Sequence, residues 1–422
     1  MKKSIIEEIN RRAKPLRTNQ DLDSLLEVIE NRPFVLLGEA SHGTSEFYTW
    51  RAELTKRLIV EKGFTSIAVE GDWPACYEIN RYIKGEAHQS SDLESLLVES
   101  FDRWPTWMWA NQEILSLLKW LREYNREQQS ENKVGFYGLD VYSLWDSMEE
   151  VIAYLERAGY QEELKKAREA YSCFEEHGRD PQMYGFDAAM FSETCEDEVV
   201  ELLLKLQDKK QQAIHRQEKD LSAEINTLVA VNAERYYRTM VRGGPDSWNI
   251  RDHHMVETIN RIIEYHGEQN KMIVWEHNTH IGDARATDMP SEGLVNVGQI
   301  LREQKGLDHV YAIGFSTYSG SVIAGKAWGE PFEEVSVPPA QTGSWEAFLH
   351  EASPKDKILL FNQDEPVFSQ EFGHRAIGVV YQPQYERYGN YVPTRLSDRY
   401  NALIYIDHTH ALQPLVPQLE LV

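Results

Sequence analysis

FVLLGEASHG, residues 34–43, is the stretch on which the fold turns. Four apolar residues, Phe34 to Leu37, have the length and β-rich composition of a buried strand, and Gly38 permits a tight turn where that strand ends. A carboxylate, Glu39, and an imidazole, His42, follow three residues apart. The same passage from apolar run to ionisable cluster recurs in SIAVEGDW (66–73), VGFYGLDVYS (134–143), MIVWEHNTHIGD (272–283) and VYAIGFSTYSG (310–320). Between the first two runs, Glu46 to Glu61 carries apolar residues at helical spacing, and Glu113 to Tyr124 does the same before the third. This alternation is the β-α-β rhythm of a mostly parallel sheet.

Working outward, the stretch from about Ser147 to His266 has almost no strand-like run. Charged residues at helical spacing fill it, as in Glu198 to Lys210 and Leu221 to Met240. Strand patterns resume at Met272 to Trp275, Val310 to Phe315, Lys357 to Phe361, Ile377 to Tyr381 and Leu403 to Ile406. The expected fold class is α/β: a three-layer α/β/α arrangement with a mostly parallel, mixed central sheet and a large all-helical insertion. Residues 1–146 and 267–422 form a discontinuous α/β catalytic domain, and residues 147–266 form a helical insertion or cap. Gly243, Gly244 and Pro245 are the strongest punctuation near an insertion edge, and the Tyr-, Arg- and Pro-rich stretch from Pro383 to Leu396 is expected to wrap the surface.

The chain has 422 residues with 44 Lys and Arg against 68 Asp and Glu, a formal charge of −24. A polyanion is repelled by such a surface, so nucleic acid is not expected as a partner. No apolar run approaches the ~18 residues of a membrane span, and the opening MKKSIIEEINRRAK has no apolar core of signal-peptide length. Cys76, Cys173 and Cys195 are odd in number, far apart and without a C-x-x-C, so neither a disulfide framework nor a thiolate zinc site is expected. These features point to a cytoplasmic protein. The oligomeric state is not set by any of them.

In a parallel sheet, ligands bind beyond the carboxyl ends of the strands, so the polar clusters should meet on one rim. Glu39, His42, Glu70, Asp140, Glu276, His277 and His280 are the candidates for one cleft. A carboxylate beside an imidazole makes a competent general base near neutral pH, and a second carboxylate, Glu70, raises its basicity further. Residue by residue, blander readings stand beside these: Glu39 as a helix cap, Glu70 as the partner of Arg51 or Arg81, His277 and His280 as satisfied core histidines. The same groups also suit zinc or a similar divalent ion, although there is no H-E-x-x-H. No G-x-S-x-G, G-x-G-x-x-G or P-loop occurs, which removes the main signals for a serine elbow, dinucleotide or nucleoside triphosphate. Trp104, Trp107 and Trp109 fit a greasy wall better than a stacking platform. His253 and His254 fit a structural role on a helix, with Asn249 and Arg251 just before them able to face the cleft.

The runs LLGEASHGTSEF, AVEGDWPACYEINRYI, WMWANQEILSLLKWLREYN, VGFYGLDVYSLWDSM, NIRDHHMVETI, WEHNTHIGDA and YGNYVPTRLSDRYNALIYID together resemble the erythromycin esterase family, including homologues labelled succinoglycan biosynthesis proteins. The resemblance extends from about Leu36 to Ile406. It implies hydrolysis of a small-molecule ester, a macrolactone in the namesakes, by water without a covalent acyl-enzyme and without a required metal or cofactor. By position, His42 matches the general base, Glu39 and Glu70 the acidic residues of the cleft, Arg51 its basic residue, and His277 and His280 the pair on the far side. Two other readings remain: a metal-dependent hydrolase using the same Glu/His cluster, and a non-catalytic carbohydrate-associated protein.

Overall fold

A computed structural model describes residues 2–86, 92–175, 177, 180–191, 194–212, 217–267, 269–362 and 365–416. Its strands are β1 Lys14–Pro15, β2 Phe34–Leu37, β3 Ser66–Asp72, β4 Gly135–Asp140, β5 Met272–Trp275, β6 Val310–Gly325, β7 Phe332–Val337, β8 Lys357–Leu360, β9 Phe372–Arg375, β10 Tyr391–Thr394 and β11 Ala402–Thr409. A nine-stranded mixed sheet runs β1-β8-β11-β6-β2-β5-β3-β4, with β7 paired to β6. From β11 to β4 every pairing on this path is parallel, and β1, β8 and β7 add antiparallel edges.

Alternation along the strands builds two cores, one on each face. Phe34, Leu36, Met272, Val274, Val310 and Ala312 point to one side, where they meet Met255, Val256, Ile259 and Ile262 of the helix Asp246–His266. Val35, Leu37, Ile273, Trp275, Tyr311 and Ile313 point to the other, against Phe47, Leu54 and Leu58 of the helix Ser45–Lys62. The strands are apolar on both faces because both faces are covered. This is the expected three-layer α/β/α arrangement.

Between β4 and β5 lie the long helices Leu144–Ala158, Gln161–Glu175, Pro181–Phe191, Glu196–Gln212, Glu218–Met240 and Asp246–His266. The last was grouped with the insertion by sequence, yet it packs directly on β4 and on the sheet core. Among the described helices, none is long and apolar enough to cross a membrane.

Three local expectations are corrected. No disulfide was expected, yet Cys173 and Cys195 form one that links the helix Gln161–Glu175 to the start of Glu196–Gln212. Their pairing arises from helix docking, which their sequence spacing does not announce. Ile377 to Tyr381 is not a strand: Ile377 and Val380 make single bridges to Ser41 and Gly325. The Pro383 to Leu396 stretch does more than wrap the surface, because Tyr391–Thr394 pairs with Phe372–Arg375 as a second, two-stranded sheet.

Candidate active site

The rim at the carboxyl ends of β2, β3, β4 and β5 carries the site. Gly38 follows β2 and packs so tightly against Asn278 that a Cβ there would collide with the amide side chain. Close approach, more than turn conformation, is the reason for glycine. Asn278 in turn brackets β6, donating to the Phe315 carbonyl (2.7 Å) and accepting from its amide (3.1 Å). The loop bearing Glu39 and His42 is thereby held against the segment bearing His277 and His280.

Glu39 divides its two oxygens. Oε1 meets His42 Nδ1 at 2.9 Å, and Oε2 accepts from Arg51 Nη2 at 2.5 Å. Arg51 is fully buried, its guanidinium carbon 4.4 Å from the Tyr48 ring centroid and 4.6 Å from that of Trp275. It stands behind Glu39, with its ion pair to that carboxylate, and does not line the cavity. His42 does line it, at 7% exposure, and with Nδ1 committed to Glu39 its Nε2 is the nitrogen left for chemistry. Burial pulls the His42 proton affinity down, but the Glu70 carboxylate and the Glu39 bond outweigh it and leave the group raised above an ordinary histidine.

Glu70, at the end of β3, is held at both oxygens. Arg251 Nη2 donates to Oε1 at 2.7 Å, and the His277 backbone N–H donates to Oε2 at 2.8 Å. Burial alone would raise its carboxyl, yet the surrounding His280, Arg251 and His42 and the His277 amide hold it well below the usual range. Glu70 is therefore an anion facing His42. Asp140, ending β4, takes two bonds from Arg251, at 2.9 Å to Nε and 2.7 Å to Nη2.

His277 caps the short helix Asn278–Ile281. Its Nδ1 accepts from the Thr279 amide at 3.3 Å and lies 2.8 Å from the Thr279 hydroxyl. A ring nitrogen that accepts from a backbone N–H carries no proton, so the proton of neutral His277 is on Nε2. That nitrogen is buried without a hydrogen-bond partner, and the ring sits 4.9 Å from that of His42. Burial first, and the neighbouring His42 second, push His277 well below the usual histidine range against the opposing pull of Glu70 and the Ala40 carbonyl. It is a neutral N–H donor beside His42, with the Ala40 carbonyl as its nearest backbone acceptor.

His280 lies flat on Trp248, with 4.5 Å between centroids and 7° between planes. Its Nδ1 contacts Asp252, and its Nε2 receives Arg251 Nη1 at 3.0 Å. Glu276 is fully buried with neither carboxyl oxygen hydrogen-bonded, and burial together with Glu70 and Asp252 drives its proton affinity far up. It is a neutral acid beneath the site.

Of the six residues expected from sequence, His42 and Glu70 line the cavity, while Glu39, Arg51, His277 and His280 form the shell holding or facing them. Sequence named Arg51 as the basic residue; the guanidinium that reaches Glu70 and the cavity is that of Arg251. Asp252 and Trp248 were not foreseen. Their signal was the spacing of Trp248, Arg251 and Asp252, which puts all three on one helix face.

The cavity has a volume of ≈ 530 Å³, in the range of small-molecule sites. Trp109 walls it and donates to the Glu70 carbonyl at 3.0 Å, and Trp328 also lines it, packed edge-on against Trp104 at 4.7 Å. Glu78, Glu99, Asp146, Glu149 and Glu150 line it alongside Arg103 and Arg251, each arginine already paired with a carboxylate. Among the described residues, no three His, Cys, Asp or Glu side chains converge as a metal-binding group. The Nδ1 atoms of His42, His277 and His280 are each turned to a protein partner.

A family model described as erythromycin esterase matches residues 59–409. The putative hydrolase YbfO of Bacillus subtilis (strain 168) is 21% identical over 95% of this chain and 90% of its own. Erythromycin esterase type II from Escherichia coli is 24% identical over 72% of this chain and 73% of its own. Among solved structures, a Bacillus cereus protein has a TM-score of 0.82 at 21% identity over 98% of this chain and 99% of that one. A succinoglycan biosynthesis protein has 0.80 at 22% identity over 98% of each. A mutant erythromycin esterase, EreC, in its open conformation has 0.68 at 18% identity over 94% and 97%. At these identities the structures bear on the fold alone, whereas the family match spans most of the sequence. The chain belongs to the erythromycin esterase family.

Proposed function

We propose that the protein hydrolyses an ester or lactone by direct attack of water, with His42 as the general base. The observation that carries this reading is the Glu39–His42 pair, 2.9 Å apart, opening onto the cavity across from the Glu70 anion. His42 Nε2 takes a proton from water as the water oxygen attacks the ester carbonyl carbon. Glu39 and Glu70 stabilise the imidazolium that forms. The carbonyl oxygen becomes an oxyanion, and we assign its stabilisation to the Nε2–H of His277, whose ring lies 4.9 Å from that of His42. Collapse of the tetrahedral intermediate expels the alkoxide, which takes the proton from His42. Glu70 is a poor candidate for a covalent nucleophile because both its oxygens already accept hydrogen bonds.

The carboxylate-rich lining favours a cationic ester over an anionic one. Macrolactones bearing an amino sugar are one such class, and the name of the Escherichia coli relative supports including them. The test is incubation with macrolactones, acylated sugars and matched cationic and neutral simple esters, with products read by mass. Cleavage of at least one class, with no acyl adduct on rapidly quenched protein, is expected. No turnover of any ester, or an acylated protein, would overturn the reading.

A further inference from the structure

Arg251 is held from three directions. Asp140 takes Nε and Nη2, Glu70 takes Nη2, and Nη1 donates to His280 Nε2 at 3.0 Å. A guanidinium only donates, so this last contact requires a lone pair on His280 Nε2 and therefore places the imidazole proton on Nδ1. That proton has a taker. Both oxygens of the fully buried Asp252 lie at Nδ1, 2.9 and 3.0 Å away, and Oδ1 also accepts from the Val297 amide at 3.0 Å. Trp248, one turn before Asp252, stacks on the ring and fixes its plane.

We propose that Asp252 is a positioning residue of the hydrolytic site, which holds His280 in the Nδ1–H tautomer and thereby keeps the Arg251 guanidinium on Glu70. The assignment rests on the hydrolase reading for its kinetic consequence, but its geometric part does not. The site thus contains two carboxylate–imidazole pairs with different tasks. In Glu39–His42 the free nitrogen is open to the cavity for water. In Asp252–His280 the free nitrogen is spent on an arginine.

Asp252→Asn separates these tasks. The Val297 amide needs an oxygen, so the new carboxamide keeps Oδ1 there and turns its NH₂ toward His280 Nδ1. The imidazole proton must then move to Nε2, where it opposes the Arg251 Nη1–H. Arg251 is displaced from Glu70. The charged and titratable groups around His42 are Glu39 on its own loop, Glu70 on β3, His277 after β5 and Arg251 on the helix. Of these, Arg251 lowers the His42 proton affinity and the two carboxylates raise it. Loss of Arg251 from this set moves the acid limb of the pH–rate profile upward. A purely structural role would lower activity without moving that limb.

The experiment is long-range ¹H–¹⁵N correlation on histidine-labelled protein, with His280 assigned by its loss in His280→Gln, together with kcat/KM against pH. Wild-type His280 is expected as Nδ1–H, and Asp252→Asn as Nε2–H with the acid limb raised. An Nε2–H His280 in the wild type, or an unchanged tautomer or unmoved limb in the variant, would overturn the proposal. The wild-type spectrum decides even if the variant fails to fold. It also needs no substrate, so a chain that cleaves no ester would sink the hydrolase reading while this arm still judges Asp252.

Discussion

Glu39→Gln should be far more damaging than its near-identical shape suggests. In the native site Oε2 accepts from Arg51 and Oε1 meets His42 Nδ1. Arg51 can only donate, so it will claim the oxygen of the new amide, leaving the NH₂ to face His42. The amide then donates to Nδ1, and the His42 proton moves to Nε2, the nitrogen that has to accept from water. Turning the amide back costs a charge-assisted hydrogen bond to a buried arginine, roughly 2 kcal/mol. Removing the anion beside the imidazolium costs more, about 3–4 kcal/mol for opposite charges ~4 Å apart at an effective dielectric near 20. Together these imply a fall in kcat/KM of roughly 10⁴-fold. The assay is kcat/KM on whichever ester the substrate panel identifies, with the protein shown to be folded by circular dichroism. A second variant sharpens it: Glu39→Gln with Arg51→Met frees the amide to turn, and should recover roughly tenfold or more of the lost rate. Activity of Glu39→Gln within tenfold of wild type, or no recovery in the double variant, would refute the tautomer reasoning.

Other consequences can be checked in parallel. In Glu70→Gln the anion that raises His42 is gone, so its deprotonated, active form persists to lower pH and the acid limb of the residual activity should move down. Glu276→Gln should leave kcat/KM and melting temperature close to wild type, because burial already keeps that carboxyl protonated; a large change would show it ionised. Reducing the Cys173–Cys195 bond, which spans 22 residues, should cost about 3 kcal/mol of stability in the helices it joins, read by hydrogen exchange. Thiol titration of the native oxidised protein should find buried Cys76 unreactive until denaturant is added.

Much of this was written into the strands. FVLL, MIVW and the IAV that follows Ser66 are apolar throughout because both faces of a parallel sheet are covered, and that uniformity made them legible. The ionisable residues after them were legible as one site because strand direction sends every exit to the same rim. What sequence missed depends on packing between distant segments. β7, FEEVSV, is charged and largely exposed, so it carried no apolar signal and forms by pairing with the far half of β6. Ile377 to Tyr381 has the apolar signal but meets the rim of the sheet only at single bridges. Arg251 lies in an ordinary amphipathic helix pattern, and only the docking of that helix on β4 turns it toward Glu70 and Asp140. Arg51, nearly two turns into its helix, lies instead behind Glu39, between two aromatic rings.

The central claim is that His42 activates the water, and kcat/KM for His42→Ala against pH tests it most directly. Wild type should show an acid limb above the ordinary histidine range, as its raised proton affinity requires. The variant should lose about 10³-fold or more at neutral pH, and that limb with it. A folded His42→Ala protein that keeps near wild-type activity and the same acid limb would contradict the account.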